Sequence, residues 1–294
     1  MENRKFVYVI LHYNTMEDTQ ACVHSLLEKL QGQPFEIVIV DNCSPNGSGE
    51  QLLQTYDQQE GIHVILNERN LGFAQGNNVG FRYAKHELKA DFIVLMNNDT
   101  LLLQEDTQAL ITQEYETSRC ALIGPKVNTP HPPFDSNPGT SHLPTLRHEL
   151  GQQFVIYFYW FWSLFGLDPL MQKIFGRHQQ RRLKRAAQKG VVDEREENVQ
   201  LHGCFWAFTP AYVQRYDGIN DKTFLYGEEA LLYVRCKRAG LKTIYLPALQ
   251  IFHQEDSASD SIHFTKAVKK RRFFYRHWTH SRWVLIRELL HAKD

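Results

Sequence analysis

No C-x-x-C pair occurs among the five cysteines of this 294-residue sequence, and Cys22, Cys43, Cys120, Cys204 and Cys236 follow no regular spacing. Neither a zinc knuckle nor a disulfide framework is suggested, and a reducing compartment fits best. An excess of charge of one sign is also missing, since 33 Lys and Arg balance 33 Asp and Glu. A generally basic nucleic-acid binder is therefore not indicated. Long apolar runs are absent too. The run that opens the chain, FVYVIL at 6–11, ends in polar residues too soon for a signal h-region. The run FVIYFYWFWSLFGL at 154–167 has fourteen residues, short of the roughly 20 that a spanning helix needs. No internal repeat and no low-complexity segment is present. With 43% hydrophobic and 22% charged residues, the composition is that of a folded protein with a substantial core.

What is present is an alternation of strands and helices. FVYVIL (6–11) and FEIVIV (35–40) are β-branched and almost continuously apolar, the pattern of strands buried on both faces of a parallel sheet. Between them, residues 17–30 place Cys22, Leu26, Leu27 and Leu30 near helical spacing, with Gly32 and Pro34 as the stop. The pattern predicts further helices at about 48–59, 74–87 and 104–117, with strands at 62–66 and 91–96. Such a succession argues for an α/β layer whose ligands bind at the carboxyl ends of the strands. The first turn reads LHYNT and lacks G-x-G-x-x-G, which disfavours a Rossmann dehydrogenase.

After Lys126 the texture changes. Residues 128–149 contain five prolines and read as a loop. The aromatic run at 154–167 is followed at 177–189 by six Lys and Arg with no acid, and an aromatic run beside a basic cluster reads as a segment lying in a membrane interface. The alternative is that Phe154 to Leu167 packs on the α/β layer or on a second copy in a homodimer. An apolar stretch, LHGCFWAF, leads to YGEEALLYVRCKRAG and then to a strand, TIYLPALQIFH. The tail from 262 reads as helical and again mixes bases with aromatics, including Lys266, Lys269, Lys270, Arg271, Arg272, Arg276, Trp278 and Trp283.

Several polar residues stand at strand ends, where chemistry is expected. Asp41 closes the second strand, and its carboxylate could accept hydrogen bonds from a ribose or a base; equally, Asp41-Asn42 could start the turn Ser44-Pro45-Asn46-Gly47. In NERNLGFAQGNN, Gly72 and Gly76 allow close approach of backbone to a ligand, with the next helix's amides available to phosphate. LMNNDT puts Asp99 where a hard divalent cation could be held, or where Asp99 or Thr100 caps a helix. Glu228-Glu229 could cap a helix, bind metal or supply a base. His253 follows an apolar strand, a place where a histidine is ordinarily structural or exposed.

Taken together, VILHYN (9–14), IVIVDNCSPNGS (37–48), NLGFAQGNN (70–78), LMNNDT (95–100), GINDKTFLYGEEALLYVRCKRAG (218–240) and YLPALQIFH (245–253) resemble family 2 glycosyltransferases of the GT-A type, close to the bacterial rhamnosyltransferase-like enzymes of O-antigen and capsule synthesis. The resemblance implies a GT-A nucleotide-diphospho-sugar transferase fold, a mostly parallel central sheet flanked by helices; the aromatic and basic composition outside the matching stretches adds the expectation of a helical membrane-associating insert and a C-terminal helix. It further implies an inverting, metal-dependent transferase taking a sugar from a UDP or dTDP donor. Leu11, Tyr13, Asn14, Asp41, Asn70, Gly72, Phe73, Asn78, Asn97 and Asn98 would hold the donor. Asp99 and His253 would bind Mg²⁺ or Mn²⁺, and Glu229, with Glu228 as the alternative, would be the general base. Two positions depart from the family pattern: Asn97 stands for the first aspartate of a D-x-D-like motif, and Glu229 stands for an aspartate. The implied organisation is a nucleotide-sugar half (1–127), a Pro-rich loop with an aromatic and basic insert (128–200), an acceptor half (201–255) and a basic-aromatic tail (256–294). A polyprenyl-diphosphate-linked saccharide acceptor, an anionic membrane surface and a peripheral place on the inner face of the bacterial plasma membrane complete the expectation. A sugar-phosphate nucleotidyltransferase would favour a glycine-rich basic loop after the first strand, which LHYNTMED lacks. A membrane scaffold without activity would leave Asp41, Asp99 and Glu229 without roles.

Overall fold

The computed structural model describes residues 4–130, 137–165, 192–254 and 267–291. The described residues form a nine-stranded sheet. Its first half alternates β1 (Phe6–His12), α1 (Met16–Lys29), β2 (Phe35–Asp41), α2 (Ser48–Tyr56), β3 (Ile62–Leu66), α3 (Gly72–His86) and β4 (Phe92–Asn97). There follow β5 (Thr100–Leu102), α4 (Thr107–Ser118), β6 (Leu122–Asn128), α5 (Leu146–Leu164), β7 (Glu196–Glu197), β8 (Phe205–Phe208), α6 (Pro210–Val213), α7 (Glu228–Arg238), β9 (Thr243–His253) and α8 (Ala267–Leu290). The order across the sheet is β3-β2-β1-β4-β8-β6-β9-β5, with β7 also pairing β9. Strands β1 to β4 pair in parallel, whereas β8 runs antiparallel to both β4 and β6.

Alternate residues of the parallel strands go to opposite faces, and both faces are buried. Phe6, Tyr8, Ile10, Ile37, Ile39, Phe92, Val94 and Met96 join one core with Cys22 and Leu26 of α1, Leu52 of α2 and Ile111 of α4. Val7, Val9, Val38, Val40, Ile93 and Leu95 join the other with Phe81 of α3, Tyr212 of α6 and Leu232 of α7. This two-sided burial is why the strands read as continuous apolar runs. Each such side chain contributes about 1.5–3 kcal/mol relative to exposure.

The expected first four strands and their helices are present. The segment read as a loop to 149 gives way to α5 at Leu146, and four strands not anticipated, β5, β6, β7 and β8, complete the sheet. Helix α5 packs against α8 through buried Glu149, which pairs with Arg282. Gln153 Nε2 donates to Thr279 O at 3.3 Å, and Trp283 Nε1 donates to Tyr157 Oη at 2.7 Å. Leu231 and Val234 of α7 bury Val284 and Leu285 of α8 in a third cluster. Among the described residues, no helix is long and apolar enough to cross a membrane. The basic run 177–189, the end of the aromatic run beyond 165, and Lys266 lie outside the described residues.

Candidate active site

The parallel pairing brings the carboxyl ends of β2, β1 and β4 to one edge, with His12 opposite Asp41 and Leu11 opposite Asn97. Asp41 is buried there and turned back on its own loop. Its Oδ1 accepts from Ser44 Oγ at 2.5 Å and its Oδ2 from Ser44 N at 3.1 Å. A Cβ on Gly49 would come within 2.4 Å of this carboxylate, so glycine is what admits it at the start of α2. His12 Nδ1 meets Thr19 Oγ1, and Nε2 meets Ser48 Oγ, each at 2.7 Å. Burial pushes His12 down to about 4, against the opposing pull of Asp41, which keeps the ring neutral at ordinary pH. Asn14, in left-handed conformation at φ 66°, donates its N–H to Ser44 Oγ at 2.9 Å. The β1 and β2 loops are thereby tied together, with Leu11 and Tyr13 half-buried beside them.

The sequence reading placed Asn42 only at the possible start of a turn. It is 3% exposed, and its Nδ2 donates to Asn70 Oδ1 at 3.0 Å and to Gly72 O at 3.1 Å. Its Oδ1 accepts from Leu71 N at 2.9 Å. The expected donor loop therefore hangs on one buried amide, whose cue in the sequence is an asparagine directly after the strand-ending Asp41. Gly72 has φ +77°, and a Cβ there would lie 2.3 Å from Phe224 O, which also accepts from Phe73 N at 2.7 Å. Asn78 faces the same distant segment and both ends of its amide are engaged: Nδ2 donates to Ile219 O at 2.9 Å and Oδ1 accepts from Ile219 N at 2.8 Å.

Beyond β4, Asn97 N donates to Cys204 O at 2.9 Å. Asn98 Nδ2 reaches Thr15 Oγ1 at 2.6 Å and Thr19 Oγ1 at 3.0 Å, anchoring the start of α1. Asp99 is buried and stands at the head of β5, whose antiparallel pairing with β9 sets Thr100 opposite His253. His253 Nε2 lies 3.1 Å from Asp99 Oδ1, yet both ring nitrogens are buried without a hydrogen-bond partner, so this close contact lacks hydrogen-bond alignment. Next to it are His202, at 5.7 Å between ring centroids, and Cys204. Glu229, in the first turn of α7, extends the row: its Oε1 is 3.9 Å from His202 Nε2 and accepts from Gly203 N at 2.7 Å. Asp99, His253 and Glu229 thus belong to one neighbourhood although 154 and 24 residues separate them along the chain. Glu228 points elsewhere in its chemistry. It is 6% exposed, and burial pushes its carboxyl up to about 7.

His202 and Cys204 were not singled out by the sequence reading, which took LHGCFWAF as an apolar stretch. Their signal is the H-x-C spacing just before a strand, and its meaning comes only from the pairing of β8 with β4.

Comparison with known proteins gives the family of the chain. The family model described as glycosyl transferase family 2 matches residues 8–169. The low-salt glycan biosynthesis hexosyltransferase Agl10 of Haloferax volcanii is 30% identical over 119 residues, 40% of this chain and 35% of that protein. Glycosyltransferase GlyG of Streptococcus pneumoniae is 27% identical over 148 residues, 50% of this chain and 44% of that one. The chain thus spans less than half the length of these relatives. The crystal structure of S. aureus TarS 1-349 in complex with UDP-GlcNAc superposes with a TM-score of 0.55 at 12% identity, over 98% of this chain and 72% of that one, a likeness of fold. With the family model matching more than half of its residues, the chain belongs to glycosyl transferase family 2.

Proposed function

We propose that the protein is an inverting hexosyltransferase that uses a UDP- or dTDP-sugar, depends on Mg²⁺ or Mn²⁺, and adds the sugar to a hydroxyl of a lipid-linked surface polysaccharide. The observation that carries this reading is the row Asp99, His253, His202 and Glu229 at the carboxyl edge of the sheet. A carboxylate and an imidazole with unspent, buried nitrogens suit a divalent cation, so Asp99 and His253 would hold it. The chemistry a bound cation supplies there is neutralisation of charge on the departing nucleoside diphosphate.

The chain's own groups do the rest. Asn70, Gly72 and Phe73, with the Leu11–Asn14 and Asp41 loops behind them, bound the donor side of the edge, and Asn78 positions this side by clamping Ile219. Asn97 and Asn98 hold the strand end on which Asp99 sits. Glu229 takes a proton from the acceptor hydroxyl as that oxygen attacks the anomeric carbon from the face opposite the leaving group, which inverts the configuration. Its hydrogen bond from Gly203 fixes the carboxylate for that task. Glu228 is 6% exposed, whereas the Glu229 side chain is 36% exposed, so Glu229 is the carboxylate open to an acceptor hydroxyl.

An exposed apolar stripe supports the membrane part of the proposal. Leu150, Phe154, Phe158 and Phe161 follow one another at helical spacing along α5, with Phe165 directly after its end, and Phe154 is 74% exposed. With the basic run 177–189 adjoining it in sequence, the stripe fits an anionic leaflet on the cytoplasmic side. The transferase reading is tested with purified protein and a panel of UDP- and dTDP-sugars, with Mn²⁺ or with EDTA. Turnover or slow donor hydrolysis that needs the cation is expected; activity untouched by EDTA would refute metal dependence, and inertness to every donor with Mn²⁺ would count against the donor class.

A further inference from the structure

We infer that His202, Cys204 and His253 form a soft-metal site, completed by Asp99, that captures Zn²⁺ in preference to Mg²⁺ and overlaps the diphosphate-binding centre. The overlap with that centre rests on the function proposed above; the metal capture does not. Ligand atoms of the three residues all lie within 4.8 Å of one another. Cys204 is fully buried and His253 is 7% exposed, with neither of its ring nitrogens hydrogen-bonded. Burying an imidazole with both nitrogens unspent is unfavourable unless something else engages them. Asp99 Oδ1 lies 3.1 Å from His253 Nε2, so a small shift of this carboxylate toward the other three residues would make it the fourth donor.

The donor set decides the ion. Mg²⁺ demands oxygen ligands in near-octahedral array, while a thiolate with two imidazoles and one carboxylate matches the four-coordinate preference of Zn²⁺. Affinity at such a site rises from Mn²⁺ through Co²⁺ toward Zn²⁺. A tetrahedral ion with bonds of about 2.0–2.3 Å needs its ligand atoms roughly 3.5 Å apart, so the three side chains must draw in by about 1 Å. To contribute through Nδ1, His202 gives up the long hydrogen bond that this nitrogen accepts from Cys204 N at 3.3 Å. On binding, the Cys204 Sγ–H bond breaks, its proton leaves to solvent, and the sulfur's electron pair forms the metal bond. The occupied site ties up Asp99 and His253 and sets a positive charge beside His202, whose Nε2 is 3.9 Å from Glu229 Oε1. Zn²⁺ is therefore an inhibitor of the Mn²⁺- or Mg²⁺-supported reaction.

The test is titration of the metal-stripped full chain with Co²⁺ and with Zn²⁺, without nucleotide or acceptor. One equivalent of Co²⁺ should produce a near-ultraviolet thiolate-to-metal band, and Zn²⁺ should abolish it by displacement. Cys204→Ser should remove the band while Cys43→Ser keeps it, and His202→Ala should weaken Zn²⁺ binding about tenfold or more. Half-exposed His202 is a variant that does not depend on a buried substitution folding. No stoichiometric band in the wild type, or a band that survives Cys204→Ser, overturns the site. Because no sugar donor enters the experiment, such a failure leaves transferase activity to be judged by its own assay.

Discussion

Replacing Glu228 with glutamine should leave stability nearly unchanged in mild acid and raise it in mild alkali, and the size of the gain follows from where the carboxyl sits. Glu228 opens α7 at 6% exposure, with Oε1 buried and unpartnered. Burial moves it from the ordinary 4.5 to about 7. The folded chain therefore retains a proton that the unfolded chain releases, so native stability is greatest below about 4.5 and declines as pH rises through about 7. At 1.36 kcal/mol per unit, the loss on reaching pH 8 is about 3 kcal/mol. Glutamine carries no titrating proton and has no such slope, and it also removes a charge beside Glu229. Urea unfolding of wild type and Glu228→Gln at several pH values between about 4.5 and 8 measures the difference directly. The gap should open from near zero to about 3 kcal/mol, without change in the urea m-value. A gap that is constant with pH would refute the claim that this carboxyl is held protonated by its surroundings.

Glu229→Gln preserves an oxygen acceptor for Gly203 N–H while removing the base, so kcat should fall by about 10²–10⁴ with donor KM little altered; retained turnover would move the base elsewhere. Gly72→Ala puts a Cβ 2.3 Å from Phe224 O at a positive φ, and should lower stability by more than ~1 kcal/mol and raise donor KM together, read by denaturation and steady-state kinetics. Replacing Phe154, Phe158 and Phe161 with serine should reduce flotation with phosphatidylglycerol-containing liposomes at least as much as 0.5 M salt does for the wild type. Loss of a dimer on gel filtration, with flotation intact, would instead assign the stripe to a second copy of the chain.

The parallel half of the sheet was legible because β1, β2 and β4 are buried on both faces and so carry unbroken apolar runs. Strand β5 was not, since three residues offer no period, and Thr100–Leu102 is a strand only by its pairing with β9, about 150 residues downstream. Strand β8 read as merely apolar for the same reason. In the site, Asp99, Glu229 and His253 were found through resemblance; composition and periodicity alone left capping and structural roles open for each. Asp41 illustrates the limit of strand-end reasoning. Its position at the edge was readable, but its engagement with Ser44 and Gly49 depends on the loop's path. His202 and Cys204 acquire their neighbours from non-local pairing, which no window of sequence displays.

The last helix does more than close the chain. Through Arg282 and Glu149 it is joined to the aromatic helix, and through Val284 and Leu285 to the helix that begins with Glu228 and Glu229. The exposed aromatic stripe and the carboxylate at the sheet edge are therefore mounted on one brace. Under the proposed function, a surface gripping the stripe would set the height of Glu229 above it, and the distance from anchor to reaction centre would act as a ruler for the length of acceptor that can be reached.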